Sequence, residues 1–363
     1  MHFKLSLLLF FFILRAHGSL LVLEFKGEEH TTWHGEEVSA VACTLFLGDC
    51  PVKYTDSFNT QRFAESIFFE IEKASVVNMS FSIFAPYAPR RDMRDLISGN
   101  TARYDQDLEN YRKALKTFEE ERVFLSELIR NESEKLFIIA AGNGFALEAM
   151  TIPGMVLSER YALYPSIFEY PNTLKVAALE SSSLLEDREN YRLAYYSTYS
   201  TELVDIAAPV PLNSKGEIQR GTSFAAPWVA GHLANITEAF PTLESHTVKK
   251  MAMRSAVIPN IEKALRVSEE YIRDGESSLL FRAQHESNKI KREQLISELG
   301  KDILFVKSGG VLHPGILKEC ALVLSQNPSM NLDQACLMAQ EKILGLEELE
   351  LKYLQSLWAI RGI

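Results

Sequence analysis

The sequence predicts an α/β protein in which a mostly parallel central sheet is flanked by helices on both faces. Two observations lead to this fold class. Short apolar runs alternate with helical patterns through about the first 260 residues, which is typical of a parallel sheet built from strand–helix–strand units. The runs are apolar at every position, as expected for strands that are covered on both faces.

The predicted elements follow from these patterns. Five apolar runs are predicted to be strands: 20–23, 75–80, 135–141, 174–178 and 203–208. Three patterns between or after them are predicted to be helices: 35–45, 60–73 and 223–240. The charged stretch 101–131 carries apolar residues at steps of three to five, which favours a long helix with a solvated face. Residues 259–305 are charged and helical, and 314–363 are expected to form two or three short helices.

Composition excludes several classes of protein. The chain has 363 residues, of which 47% are hydrophobic, and this is ample for a buried core. Charged residues make up 24%, which does not suit a disordered chain. The formal net charge of −10 argues against a nucleic-acid partner, because phosphates would not be neutralised.

The first 18 residues have the pattern of a signal peptide. Lys4 precedes an apolar run from Leu5 to Leu14, and Ala16 and Gly18 supply small residues before a cleavage site. A run of ten is too short to span a bilayer. A buried strand or a membrane anchor is the alternative. We therefore expect a secreted or periplasmic protein with no membrane span after the segment 1–18 is removed.

The four cysteines of an exported chain allow two disulfides. The pairs Cys43–Cys50 and Cys320–Cys336 are the shortest of three connectivities, and four buried thiols are the alternative. No C-x-x-C spacing occurs, so a zinc site on cysteines is not expected.

The strongest chemical signal is the string Gly-Thr-Ser-Phe-Ala-Ala-Pro-Trp-Val-Ala-Gly, from Gly221 to Gly231, which opens an apolar helical pattern. A serine in the first turn of a helix, here Ser223, lies beside unpaired N–H groups and the positive end of the helix dipole. Both favour negative charge on the oxygen of an attacked carbonyl group. A plain helix cap is the alternative.

Two further strings carry chemistry. Ala-Ala-Gly-Asn-Gly, at the end of the strand 135–141, offers the N–H donors of Asn143 in a cleft, or else forms a simple Asn-Gly turn. His34 stands at the start of the helical pattern 35–45, where its imidazole could act as a general base. His30 is a weaker candidate for that role.

Together these strings resemble those of the subtilisin family, the subtilases. The nucleophile motif of that family reads Gly-Thr-Ser-Met-Ala-x-Pro-His-Val-Ala-Gly, and this sequence matches nine of its eleven positions, with Phe224 and Trp228 as the departures. The resemblance implies a three-layer subtilisin-like fold. It also implies a serine endopeptidase with Ser223 as nucleophile, His34 as general base and Asn143 as oxyanion donor.

The third member of the catalytic triad of the family, the acid that orients the histidine, departs from the family pattern in this chain. Subtilases place an aspartate at the end of the first strand, and this chain has no Asp before Asp49. Glu24 directly follows the strand 20–23 and is the predicted acid, since a glutamate can also accept from an imidazole N–H. Glu28 and Glu29 are alternatives.

The resemblance also suggests how a polypeptide substrate would bind. Asn78-Met79-Ser80 is similar to the substrate-binding strand of the family, so Ser80, with Ala141 and Gly142, is predicted to bind a peptide as an added strand. No cofactor and no metal site is predicted, although subtilases often bind calcium. The oligomeric state is not predicted.

The domain organisation follows from the extent of the resemblance. Residues 19–256 are predicted to form the peptidase domain, with a helical insertion at 84–134. A second helical insertion is expected at 257–305, followed by a closing segment and C-terminal helices at 306–363. A catalytically inactive protein of the same fold, which binds peptides or partner proteins, is the alternative, because the aspartate is missing and Glu36 replaces the threonine of the family motif.

Overall fold

The computed structural model describes most of the chain between residues 20 and 361. The described residues are 20–25, 33–46, 48, 50–55, 61–84, 86, 102–143, 163–179, 191, 193–194, 196–198, 204–212, 216–217, 219–258, 261–274, 291 and 310–361. The predicted signal peptide, the alternatives Glu28, Glu29 and His30, and most of the stretch 257–305 lie outside them. No helix in these ranges combines the length and apolarity that crossing a bilayer requires.

The described part of the chain builds an eight-stranded sheet. Its strands are β1 (Leu20–Phe25), β2 (Val52–Thr55), β3 (Val76–Met79), β5 (Leu136–Ala140), β7 (Thr173–Ala178), β8 (Ile206–Ala208), β9 (Ala256–Val257) and β10 (Val311–Leu312). Their order is β2-β1-β3-β5-β7-β8-β10-β9. Neighbouring strands are parallel except for β9 and β10. A separate antiparallel pair joins β4 (Ile83–Phe84) to β6 (Leu163–Tyr164).

Nine helices occur among the described residues. They are α1 (Trp33–Leu45), α2 (Gln61–Lys73), α3 (Ala102–Asn131), α4 (Thr222–Ala239), α5 (Ser245–Arg254), α6 (Ile261–Asp274), α7 (Pro314–Gln326), α8 (Leu332–Leu344) and α9 (Glu348–Arg361).

The two faces of the sheet pack into two separate cores. Leu20 and Val22 of β1 enter the core that contains α1 and α4, whereas Leu21 and Leu23 enter the core that contains α2 and α3. This alternation follows from the two-residue period of a strand. The result is a helix–sheet–helix arrangement, which confirms the predicted three-layer α/β class.

The predicted strands and the helices at 35–45, 60–73, 101–131 and 223–240 are confirmed, with ends that shift by at most three residues. β2 was not predicted. It is a four-residue strand at the edge of the sheet, and three of its residues are only half-buried. Such a strand lacks the continuous apolar run from which the others were predicted.

The C-terminal region consists of three helices, as the sequence indicates. α7 and α8 form a hairpin that is closed by the disulfide Cys320–Cys336, and α9 packs against α6. The second predicted pair, Cys43–Cys50, is also a disulfide, and it joins the end of α1 to the residues before β2. Both predicted pairings are therefore present.

Candidate active site

The carboxyl ends of β1, β3 and β5 meet at one edge of the sheet, because the three strands are parallel neighbours. Glu24 lies near the end of β1, Ser80 directly follows β3, and Asn143 lies three residues beyond β5. Crevices at this edge of a parallel sheet are the usual place for a ligand site. The parallel topology thus gathers residues that are far apart in the sequence.

Glu24 and His34 form a direct pair at this edge. The Oε2 atom of Glu24 lies 3.1 Å from Nδ1 of His34, and the glutamate is only 6% exposed. A carboxylate can only accept, so Nδ1 must carry the proton of this hydrogen bond. In the neutral imidazole this tautomer leaves Nε2 as the proton acceptor, which is the state that a general base requires.

Helices α1 and α4 lie side by side and bring His34 against Phe224, the residue that follows Ser223. At one end, the imidazole ring of His34 packs against the ring of Phe224, with 5.8 Å between their centroids. At the other end, Nδ2 of Asn235 donates to the carbonyl of Leu45 at 2.7 Å and caps the last turn of α1. Contacts at both ends fix the position of one helix against the other.

Ser223 lies in the first turn of α4, and it is 9% exposed. The residue before this turn, Gly221, has φ of 138°, a region that favours glycine. A Cβ at Gly221 would also lie 3.3 Å from Nδ2 of Asn143. The backbone N–H groups of a first turn have no intrahelical acceptor, so the N–H of Ser223 belongs to a set of donors suited to an anion.

The backbone carbonyl of Ser223 has an unusual partner. Pro227, four residues later, has no N–H, so this carbonyl lacks the donor that an α-helix normally supplies. The hydroxyl of Ser80 donates to it instead, at 3.1 Å, and Nδ2 of Asn78 donates to that hydroxyl at 3.0 Å. Ser80 is 4% exposed, so its side chain is committed to the backbone of residue 223.

Asn143 is oriented by Thr222. The N–H of Thr222 donates to Oδ1 of Asn143 at 2.9 Å, and the Thr222 hydroxyl donates to the same oxygen at 3.2 Å. Because a backbone N–H can only donate, the atom that faces it must be the amide oxygen. The Nδ2 donors of Asn143 therefore point away from Thr222. The Thr222 hydroxyl also accepts from the N–H of Gly142 at 3.1 Å, which ties the turn after β5 to the start of α4.

The predicted substrate-binding residues lie beside this site, with most of their polar groups already bonded inside the protein. The carbonyl of Gly142 accepts from both the N–H and the hydroxyl of Thr198. The N–H of Ala141 donates to the carbonyl of Val176 at 2.9 Å. These groups contribute to the order of the turn rather than offering open hydrogen bonds.

Sequence reasoning missed Thr222 and Asn78 as members of the site. Both stand in strings that carry the family resemblance, but nothing in their spacing indicates that their side chains orient Asn143 and Ser80. It also did not single out His232, whose ring packs against Trp228 with 4.3 Å between centroids. Burial lowers the pKa of His232 to about 4, so this imidazole is neutral at physiological pH.

Among the residues described, no group of three His, Cys, Asp or Glu side chains could hold a metal ion.

Comparison with known proteins gives one family and several similar structures. A family model described as "Subtilase family" matches residues 33–294, a range that includes 34, 143 and 223 but not 24. Among solved structures, one described as the structural basis of subtilase cytotoxin SubAB assembly is 15% identical, with a TM-score of 0.46 over 91% of this chain and 93% of that one.

Two other solved structures are similar over part of this chain. The A-subunit of the AB5 toxin from E. coli is 17% identical, with a TM-score of 0.41 over 67% of this chain and 85% of that one. MycP1 with its N-terminal propeptide removed is 14% identical, with a TM-score of 0.40 over 67% and 85%. No curated protein sequence matches the chain.

Proposed function

This chain belongs to the subtilase family, and on that premise we propose that it is a serine endopeptidase with Ser223 as nucleophile, His34 as general base and Glu24 as the acid. It hydrolyses peptide bonds of polypeptide substrates through an acyl-enzyme on Ser223. Nε2 of His34 takes the proton of the serine hydroxyl as Oγ attacks the peptide carbonyl. The imidazolium then gives that proton to the leaving amine as the C–N bond breaks. Water, activated by the same imidazole, releases the acid product.

The negative oxygen of the tetrahedral intermediate needs donors, and Asn143 supplies one. Its Nδ2 group and the N–H of Ser223 are the two donors that we assign to the oxyanion. Thr222 holds the amide oxygen of Asn143, so the donor end is oriented before substrate binds. This preorganisation avoids reorganisation during the reaction.

The peptide substrate is proposed to bind as an added strand along the edge next to Ser80. We propose that Ala141 and Gly142 line the other side of the bound peptide. Because the N–H and carbonyl of Gly142 are already paired, their contribution is shape, and the hydrogen bonds to the peptide come from elsewhere along the cleft.

One observation supports this proposal above the others. A buried carboxylate contacts Nδ1 of His34, and the same imidazole ring packs against Phe224, the residue next to Ser223. An acid, a base and a serine in a helix first turn are the arrangement that acyl transfer uses.

Labelling with a fluorophosphonate tests the proposal. The wild-type chain should be labelled at Ser223, and Ser223→Ala should not be labelled. Ser325→Ala, an exposed serine on α7, is the matched control and should be labelled like the wild type. Equal labelling of wild type and Ser223→Ala, or no labelling of either, would overturn the proposal. Peptide binding without labelling would favour the inactive, peptide-binding alternative.

We further propose that the protein works outside the cytoplasm, in the periplasm or the extracellular medium. Two disulfides among the described residues support an oxidising compartment. N-terminal sequencing of the exported protein should place the new terminus after residue 18. Retention of residues 1–18 in a protein found only in the cytoplasm would contradict this proposal.

A further inference from the structure

Tyr54 connects the two elements that carry the Glu24–His34 pair. It lies on β2 directly opposite Glu24 in the parallel ladder of β1 and β2. Its ring reaches the first turn of α1, because a Cβ at Gly35 would lie 2.6 Å from the phenol oxygen and 2.7 Å from Cε1. Tyr54 thus lies next to Glu24 in the sheet, and its side chain contacts the residue after His34.

A glutamate in this position needs neighbouring side chains that restrict its rotamers. Its side chain has one more rotatable bond than that of aspartate, and ordering that bond costs conformational entropy. Glu24 and His34 are only ten positions apart in the sequence. Small changes in the separation of the strand and the helix therefore alter which rotamer of the glutamate reaches Nδ1. Catalytic groups keep their geometry when packing locks the rotamers of the surrounding side chains.

A disulfide also fixes the segment that precedes Tyr54 in the sequence. The disulfide Cys43–Cys50 joins the last turns of α1 to the residues that lead into β2. The strand that carries Tyr54 is therefore covalently tied to the helix that carries His34, at the end opposite to the ring contact with Gly35. Movement of Tyr54 relative to α1 is restricted at both ends.

Burial, and then the charges around it, keep the Tyr54 hydroxyl protonated. Burial raises the pKa of the Tyr54 phenol, and the negative charges of Glu36 on α1 and Glu24 on β1 raise it further. The phenol therefore stays neutral over the neutral pH range and adds no negative charge beside the Glu24 carboxylate.

We propose that Tyr54 is a positioning residue for the Glu24–His34 pair, whose ring holds β1 and the first turn of α1 at the separation at which the carboxylate meets Nδ1. The inference rests on the proposed function, because the pair contributes to catalysis only in an active peptidase. We assign this role to the ring, and the variant Tyr54→Phe tests whether the hydroxyl contributes.

Steady-state kinetics of three variants test the inference. Tyr54→Ala should lower kcat by about 10²-fold, the cost of a displacement of about 1 Å in a reacting group, with KM within about twofold. Tyr54→Phe keeps the ring and should rescue most of that loss. Tyr353→Ala, another half-buried tyrosine on α9, is the matched control and should leave kcat unchanged. Wild-type kcat in Tyr54→Ala would overturn the inference, as would an equal loss in Tyr54→Phe.

A coupling experiment covers the case in which Tyr54→Ala folds poorly. Gly35→Ala adds a methyl group that collides with the Tyr54 ring, so it should lower kcat in the wild-type background. In the Tyr54→Ala background the same substitution should cost little, because its obstacle is gone. Additive losses would contradict the proposed contact.

A proton NMR spectrum separates this inference from the proposed function. An imidazole Nδ1–H bound to a carboxylate gives a far-downfield resonance, which should be present in the wild type, kept in Tyr54→Phe and lost in Tyr54→Ala. A wild type that shows this resonance but is not labelled at Ser223 would refute the peptidase and leave the role of Tyr54 standing. A labelled wild type whose resonance survives in Tyr54→Ala would refute the role of Tyr54 alone.

Discussion

Removal of the Ser80 hydroxyl should misplace the nucleophile without affecting substrate contacts. Pro227 leaves the carbonyl of Ser223 without an intrahelical donor, and Ser80 supplies the replacement from β3 at 3.1 Å. Ser80→Ala leaves this carbonyl buried and unpaired. The helix turn that carries Ser223 then has to shift to find another donor.

The magnitude follows from the cost of an unpaired buried carbonyl, which is about 1–3 kcal/mol. Each 1.36 kcal/mol of lost transition-state stabilisation is a factor of ten in rate, so a penalty that falls on the transition state lowers kcat by roughly 5- to 150-fold. KM should change little, because the Ser80 hydroxyl bonds inside the protein rather than to a peptide.

A second substitution offers a direct check. Pro227→Ala restores an N–H four residues after Ser223, and this group can donate to the same carbonyl. The double variant Ser80→Ala/Pro227→Ala should therefore have a higher kcat than Ser80→Ala. Ser166→Ala is the matched control, because Ser166 is also a buried serine that donates to a backbone carbonyl, that of Ala140. Pro227→Ala should not restore any loss that this control shows.

Steady-state assays of the single and double variants decide whether the Ser80 hydroxyl positions the nucleophile. If Ser80→Ala keeps its kcat, or if Pro227→Ala fails to raise the kcat of Ser80→Ala, the hydroxyl does not position the nucleophile. Restoration of Ser166→Ala to the same extent would indicate a general gain in stability instead.

Three other predictions concern the triad acid Glu24, the oxyanion donor Asn143 and the dependence of stability on pH. Glu24→Gln should lower kcat by up to about 10⁴-fold, which is the cost of losing the orienting acid of a serine-protease triad. A loss below about tenfold in steady-state assays would exclude Glu24 as the acid. Asn143→Leu should lower kcat by about 10²–10³-fold at a similar KM. This loss in kcat is the one known for the corresponding donor of subtilisin. An unchanged kcat would argue against the oxyanion role. Burial lowers the pKa of His232 from its ordinary 6.5 to about 4, so as pH falls from 6.5 towards 4 the unfolded chain binds a proton that the folded chain does not. Stability should then fall by up to about 3 kcal/mol. His232→Phe should flatten this part of the dependence of Tm on pH, and an unchanged slope in thermal melts would contradict the assignment.

Features that depend on contiguous residues could be predicted before the fold was known. Apolar runs such as 135–141 predicted strands, because a strand buried on both faces needs apolar side chains at every position. The string that begins at Gly221 predicted a serine in the first turn of a helix, since the glycine, the small residues and the apolar pattern lie within one segment. Cys320 and Cys336 were correctly paired because a helical hairpin brings near neighbours together.

Contacts between groups that are distant in the sequence could be identified only in the folded chain. Ser80 and the carbonyl of Ser223 are 143 residues apart, and Thr222 and Asn143 are 79 apart. The contact of Tyr54 with Gly35 depends on a short edge strand that the sequence did not predict. Such contacts are set by strand register and by the angle at which helices pack on the sheet. No local pattern of residues encodes either quantity, so the hydrogen bonds that orient the site became visible only once the chain was folded.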